Sequence, residues 1–351
     1  MPLIIISTLS CEDESVENND IYISFEKPSN FPELTYDFSE NEFTQQKFEL
    51  GKRLFYDGKL SSDGSVSCGS CHNQSNAFTH HGHDISDGVN GVFGTRNTQP
   101  LQNLAFMKDF TWDGAIRHLD LQPIIPIESE VEMNETIDNV LLKLQNDVSY
   151  VTQFNESFEK KSFEPHIISL RTLTQSLSQF MNALVSANSR YDKYVRGEVM
   201  EIPYSEEEKE GLSIFNNKCA QCHSGDLFTD QTYRNNGLAL SSKFPDELGR
   251  GRVTGEDLGG NAPDYYKFKV PSLRNIWVTF PYMHDGRLAT IDDVLDHYDT
   301  GVQDTPNLDP ILKQNEILGI SLSNEDKRLL KFFLKSLTDN TFITDERFAE
   351  D

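Results

Sequence analysis

Where the apolar side chains of this chain recur regularly, their spacing is helical. Leu170, Leu173, Leu177, Phe180, Met181 and Leu184 make the clearest stripe, one face of an amphipathic helix. Phe43, Leu50 and Leu54 recur at roughly helical spacing over 43–55, and Asn134 is the cap expected for a helix carrying Ile137, Val140, Leu141 and Leu144. Ser205 with Glu208, Thr290 with Asp293 and Ser323 with Asp326 repeat one start signal, a hydroxyl followed a turn later by an acid. Each precedes apolar positions: Leu212 and Phe215, then Val294 and Leu295, then Leu329, Leu330, Phe333 and Leu337. Alternating strand patterns are scarce, so the expected class is mainly α. Two long Gly-, Asn- and Asp-rich stretches, 57–100 and 224–264, separate the helices. Loops of that length in a compact chain need something to wrap around, and the aromatic residues scattered through both argue against plain disorder.

Composition narrows the partners. At 351 residues the chain is long enough for two domains and a sizeable core. Thirty-one Lys and Arg stand against 56 Asp and Glu, a net charge of −25. That balance excludes nucleic acid and anionic membrane surfaces as main partners and suits a basic protein partner. No apolar run approaches the roughly 18 residues of a membrane span. The short apolar run Leu3–Leu9 ends at Cys11, with Glu12, Asp13 and Glu14 beyond it. It resembles the end of a bacterial lipoprotein signal, although it lacks an early Lys or Arg and has Thr8 where such signals prefer Leu. The expectation is an exported protein of the periplasm or cell envelope, lipid-anchored at Cys11. Residues 1–24 then form the signal-like segment and an acidic tether.

Four of the five cysteines fall into two identical patterns, Cys68-Gly69-Ser70-Cys71-His72 and Cys219-Ala220-Gln221-Cys222-His223. C-x-x-C-H is the attachment signature of a c-type haem. Two thiols add to the two vinyl groups of one porphyrin, and the adjacent His reaches the iron as proximal ligand. A zinc ribbon would need the two pairs much closer together, and a thioredoxin-like motif lacks the following His. Two covalent haems supply the group that the long loops need. The architecture expected is two cytochrome-c-like haem domains, 25–200 and 201–345, with long loops wrapping the haems.

Beyond those motifs the chain resembles the bacterial di-haem cytochrome c peroxidase family, which includes the MauG-like proteins. The landmarks are Gly94-Thr95-Arg96-Asn97, Trp112-Asp113-Gly114, Gln122, Pro126 and Glu132-Met133 in the first half. In the second half they are Phe268-Lys269-Val270-Pro271-Ser272-Leu273-Arg274-Asn275 and Pro281-Tyr282-Met283-His284-Asp285-Gly286. The resemblance spans about 45–340. It implies that H2O2 binds at the N-terminal haem, with His72 proximal and Glu132 as catalytic acid–base beside Gln122 and Pro126. It implies a relay role for Trp112 between the haems, and a Ca2+ held by Asn97, Thr279 and Pro281. Electrons would enter at the C-terminal haem, with His223 proximal, from a small redox protein of cytochrome c or cupredoxin type. The reading leaves room for a homodimer.

The sequence departs from the peroxidase branch in two places. The position of that branch's sixth-ligand Met, counted from His284, falls on Tyr298, where the MauG-like branch has a tyrosine. Met283 and His297 stand close by as rival ligands. The loop position of the His that blocks the peroxide haem falls on Val89, which has no ligand atom, while His80, His81 and His83 lie earlier in the loop. The function expected is a peroxidase reducing H2O2 to water. The alternatives are a MauG-like oxidase of a protein or small molecule, and a non-enzymatic di-haem electron carrier.

Overall fold

A computed structural model describes residues 25–254 and 263–350, so Cys11 and the acidic tether lie outside the described residues. The chain is built from helices joined by long irregular segments. The first half contains α1 (Gln45–Tyr56), α2 (Cys68–Cys71), α3 (Ile124–Glu128), α4 (Ile137–Gln145), α5 (Val148–Ser157), α6 (Leu170–Ala183) and α7 (Arg190–Val195). The second contains α8 (Glu206–Lys218), α9 (Gly251–Thr254), α10 (Ile291–Asp296) and α11 (Asn324–Ser336). Strand structure among the described residues is two short antiparallel ladders. One pairs β1 (Tyr233–Arg234) with β2 (Phe268–Lys269), the other β3 (Lys313–Gln314) with β4 (Ile317–Leu318).

The capping boxes at Ser205, Thr290 and Ser323 all form and start α8, α10 and α11. The Asn134 cap does not. Asn134 is left-handed (φ 49°) and Thr136 caps α4, its side chain accepting from the Asn139 amide. The N–H groups of Asn134 and Glu135 bond back to the carbonyls of Ser129 and Ile127, so that stretch closes a turn around Glu132 before the helix begins. The short α5 and α7 carry too few apolar residues to show in the pattern. Tyr150 and Phe154 are the buried ones in α5, and Tyr191 in α7.

Each half is organised on one crossed helix pair. α1 packs on α6 and α8 packs on α11. Both crossings need a glycine: a Cβ at Gly51 would run into the Ser176 carbonyl, and one at Gly211 into the Leu329 carbonyl. Two hydrophobic cores follow. The first centres on Phe48, Leu54, Phe55, Phe78 and Phe180, the second on Phe215, Phe228, Leu330 and Phe333. The C-terminal tail packs on the first core through Phe342, inside the expected 201–345 domain, and Phe348, beyond it. Tyr56 Oη donates to the Phe348 carbonyl (2.8 Å), and Gln74 Nε2 to that of Asp345 (2.8 Å).

Two charged clusters join the halves. Arg274 and Asp192 form a fully buried pair at 2.8 and 2.9 Å, with Arg274 stacked over Phe31. Asn275 extends this cluster to Ser186 and to the Asp339 amide. Arg96 of the first half reaches Asp113 (2.8 Å) and forks onto Glu247 of the second (2.7 and 2.9 Å).

Candidate functional site

Both C-x-x-C-H motifs sit at the foot of the first helix of their half. The cysteines of both pairs are free of disulfides, and Cys219 and Cys222 line one cavity. Each histidine is held by a main-chain carbonyl: Nδ1 of His72 by Phe78 (2.7 Å) and Nδ1 of His223 by Phe228 (3.1 Å). Both phenylalanines are left-handed, φ 62° and 53°, and this turns their carbonyls onto the rings. Bonding at Nδ1 leaves Nε2 with its lone pair, the tautomer an iron ligand needs. Burial holds His72 down to about 4 and lowers His223 as well, so both rings are neutral at neutral pH.

The second motif opens on a cavity of about 220 Å³ lined by Cys219, Cys222, His223, Met283 and Tyr298, among others. Arg234 and Lys269 supply cations to its wall, as a group bearing carboxylates requires. Lys269 is buried, its Nζ donating to the Asp109 carbonyl (2.8 Å), and burial pulls its amine down to about 8. Tyr298 lies on a π-helical turn that continues α10, its carbonyl fixed by the Ile320 amide (2.6 Å). Burial pushes its phenol up to about 12, with the Asn236 side chain acting in the opposite sense. Met283, left-handed at φ 74°, shares that wall. His297 does not line the cavity, and its Nε2 is bonded to the Asn236 carbonyl (3.1 Å).

Trp112 also reaches the cavity, bridging the halves. Its Nε1–H donates to the Asn97 carbonyl (2.8 Å), and its own carbonyl accepts from the Lys269 amide (2.8 Å). Asn97 donates its amide to the His284 carbonyl (2.7 Å) and its Nδ2 to that of Asp84 (3.0 Å). Asn97, Thr279 and Pro281 thus come together on one wall. Among the described residues no cluster of three or more His, Cys, Asp or Glu is arranged to hold a metal ion. A site made of one amide oxygen and main-chain carbonyls would not be of that kind.

At the first motif, a turn folds the chain after α3 back over that helix. The amides of Glu132 and Met133 bond to the carbonyls of Ser129 (3.0 Å) and Pro126 (3.1 Å), which ties Pro126 to Met133, the neighbour of Glu132, and Gln122 precedes α3. Burial pushes the Cys68 thiol up to about 12, and the charges of Cys71 and Glu132 add to it. Glu132 also acts on Cys71, so its carboxylate lies within electrostatic reach of both attachment thiols. Glu132 is exposed, although the surrounding chain crowds its carboxyl. Loss of water there raises its carboxyl above the ordinary 4.5.

Val89 is buried, and its amide donates to the Glu132 carbonyl (2.8 Å). Gly88 lies so close that a Cβ would meet the Glu132 backbone. The loop histidines are held by other partners. His80 bonds Ser86 (2.7 Å) and stacks on the exposed His83 at 4.3 Å, while His81 packs on Phe280 at 4.5 Å.

A family model described as di-haem cytochrome c peroxidase matches residues 45–200. A methylamine utilization protein MauG of Methylorubrum extorquens is 35% identical over 321 residues, 89% of this chain and 83% of its own. The chain belongs to the di-haem cytochrome c peroxidase family. Its family is one of haem oxidoreductases with two c-type haems, and the geometry at both motifs fits that group. A cytochrome c551 peroxidase of Nitrosomonas europaea is 34% identical over 256 residues, 71% of each chain. Among solved structures, a MauG-like protein associated with microbial copper homeostasis superposes with a TM-score of 0.80 at 31% identity. That match covers 93% of this chain and 99% of the other. Peroxidases and MauG proteins thus both stand among the relatives. Sequence reasoning missed Asn236 and the Phe78 and Phe228 carbonyls. The two carbonyls are main-chain groups, and Asn236 sits in an irregular loop with no motif to flag it.

Proposed function

We propose that this protein is a peroxidase that reduces H2O2 to water at its N-terminal haem site, using electrons that enter at the C-terminal one, and that it needs no reductive activation. Each turnover consumes two electrons and two protons per H2O2 and yields two waters. When bound, the haems supply iron for the peroxide oxygen and one-electron redox steps. Glu132 takes a proton from one peroxide oxygen and returns it to the leaving oxygen, a double duty suited to a carboxyl whose pKa is raised by its surroundings. The observation that carries the reading is Val89, buried and docked on the Glu132 backbone, at the position where the family resemblance puts a blocking histidine; the charge of Glu132 is also felt at Cys68 and Cys71. Trp112, on the wall of the second cavity, is the relay between the two halves.

Asn97, Thr279 and Pro281 are proposed to hold one Ca2+. Asn97 spends its Nδ2 on Asp84, which leaves Oδ1 as the oxygen for a hard cation. Among the described residues no helix is long and apolar enough to cross a membrane. Export to the periplasm or envelope rests on the haem chemistry and on the Cys11 segment.

Tyr298 favours a second reading, oxidation of a protein or small molecule in the manner of the MauG relatives. A phenolate ligand lowers the potential of a haem and favours its higher oxidation states. The test is steady-state oxidation of a reduced basic cytochrome c or cupredoxin by H2O2. The peroxidase reading expects turnover that falls by about 10²–10⁴ in Glu132→Gln. Fast reaction with peroxide but no donor oxidation would support the oxidase instead. Unchanged turnover in Glu132→Gln would remove Glu132 from the mechanism.

A further inference from the structure

The ring of His72 is held by the loop that follows it. Its Nδ1 meets the Phe78 carbonyl, six residues on, at 2.7 Å. Ala77 and Phe78 are both left-handed there, φ 52° and 62°. Two successive non-glycine residues in that region cost energy, and the conformation persists only where neighbours over-determine it. The Phe78 ring is buried against Phe55 at 6.1 Å, Phe180 at 6.3 Å and Phe342 at 5.7 Å. The first two belong to α1 and α6. The third, the nearest of the three, comes from the C-terminal tail beyond α11.

The tail is fastened on both sides of that contact. The Phe342 amide donates to Asp339 Oδ1 (3.1 Å), and the Asp339 amide to Asn275 Oδ1 (2.7 Å). From the loop between His72 and Phe78, Gln74 Nε2 donates to the carbonyls of Phe342 (3.3 Å) and Asp345 (2.8 Å). Phe348 packs on Phe342 at 5.9 Å. Phe228, whose carbonyl holds His223, packs instead on Tyr191, Phe215 and Phe333.

We infer that Phe342 is a positioning residue for His72, the proximal ligand of the N-terminal haem. The inference rests on the proposed open peroxide site and deepens it. A carbonyl that accepts from Nδ1–H orients the imidazole and makes Nε2 a stronger donor to iron. A stronger donor lowers the potential of the haem and favours O–O cleavage. Phe342 backs the Phe78 ring, the left-handed turn keeps the Phe78 carbonyl aimed, and that carbonyl sets the ligand. The last segment of the chain thus tunes the first motif, while the second motif is held without it.

The experiment uses the full chain loaded with both haems. It reads the iron–histidine stretching band of the ferrous protein by resonance Raman, and both haem potentials. Phe342→Ala removes the ring behind Phe78. The expected result is a downshift of the band and an upward shift of the N-terminal potential, with the C-terminal potential unmoved. Phe342→Leu, which refills most of the space, should stay near the parent. Gln74→Leu keeps the apolar packing but loses both bonds to the tail, and should shift both readouts the same way by less. If Phe342→Ala does not fold, Gln74→Leu decides in its place. Leu144→Ala opens a cavity on α4 in the same core and should leave both readouts at the parent values. An unmoved band and potential in Phe342→Ala would overturn the inference and leave His72 as ligand. Equal shifts in Leu144→Ala would overturn it too, since a looser core would then suffice. No such band in the parent would show that the open, histidine-ligated site is itself wrong, and the inference falls with it.

Discussion

At the scale of single residues, the chemistry depends on groups whose protonation is set by where the backbone puts them. His72 and His223 stay neutral because they are buried, and their Nδ1 atoms are tied to carbonyls of left-handed phenylalanines. Glu132 is the opposite case, a carboxyl that crowding makes harder to ionise. It must be ionised to accept a proton from peroxide. The peroxide reaction should therefore fall as pH drops through a midpoint above 4.5, the ordinary value, and Glu132→Gln should be slow with that limb absent. Stability runs the other way. A raised folded-state pKa contributes stability below the unfolded value, and that contribution is lost as pH rises through the folded one. Thermal melts should find Glu132→Gln the more stable protein at pH 7, with the difference closing in acid. The two C-x-x-C-H motifs were legible in the sequence because side chains at fixed spacing carry them, while Glu132 and Tyr298 were picked out there only by the family resemblance. Asn236 was not, because a lone Asn in a loop has no pattern, and only the fold shows its Nδ2 on Met283 and its carbonyl on His297.

Among the elements, the long helices were readable from stripes and caps: α1, α6 and α11 bury several apolar side chains each, and α8 starts on the Ser205 capping box with Phe215 buried. The α4 start was misplaced at Asn134, because the turn around Glu132 consumes the amides that a cap there would serve. The polar joint between the halves was not readable either. Arg274 stood in a recognised landmark, but its partner Asp192 lies on α7, which has too weak a pattern to see. Both side chains are fully buried, so removing one charge strands the other. Arg274→Met should cost about 3–5 kcal/mol in denaturant melts, well beyond an exposed pair. Asp192→Asn with Arg274→Met should recover part of that loss. A cost under about 1 kcal/mol for Arg274→Met, the range of exposed pairs, would show that the pair does not hold the halves together.

At the scale of the whole molecule, two similar helix pairs with one c-type motif each are bound into one unit by the Arg274 and Arg96 clusters and by the returning tail. Within that tail Phe342 packs on Phe78 and Phe348 on Phe48, both in the first core. Net charge acts at this scale too. With a net charge of −25, association with a basic donor should be fast at low salt, and its rate should fall steeply as ionic strength rises. A salt-independent rate with such a donor would show that charge serves some other end. We propose a peroxide site open without prior reduction. It needs Val89 docked on Glu132, the loop histidines held by their own partners, and both halves in register. Rapid mixing of the fully oxidised protein with H2O2, followed by haem absorbance, tests it most directly. The structure predicts a prompt spectral change at the first mixing. No change until one electron has been added would mean that a loop histidine such as His81 or His83 covers the iron, and would contradict it.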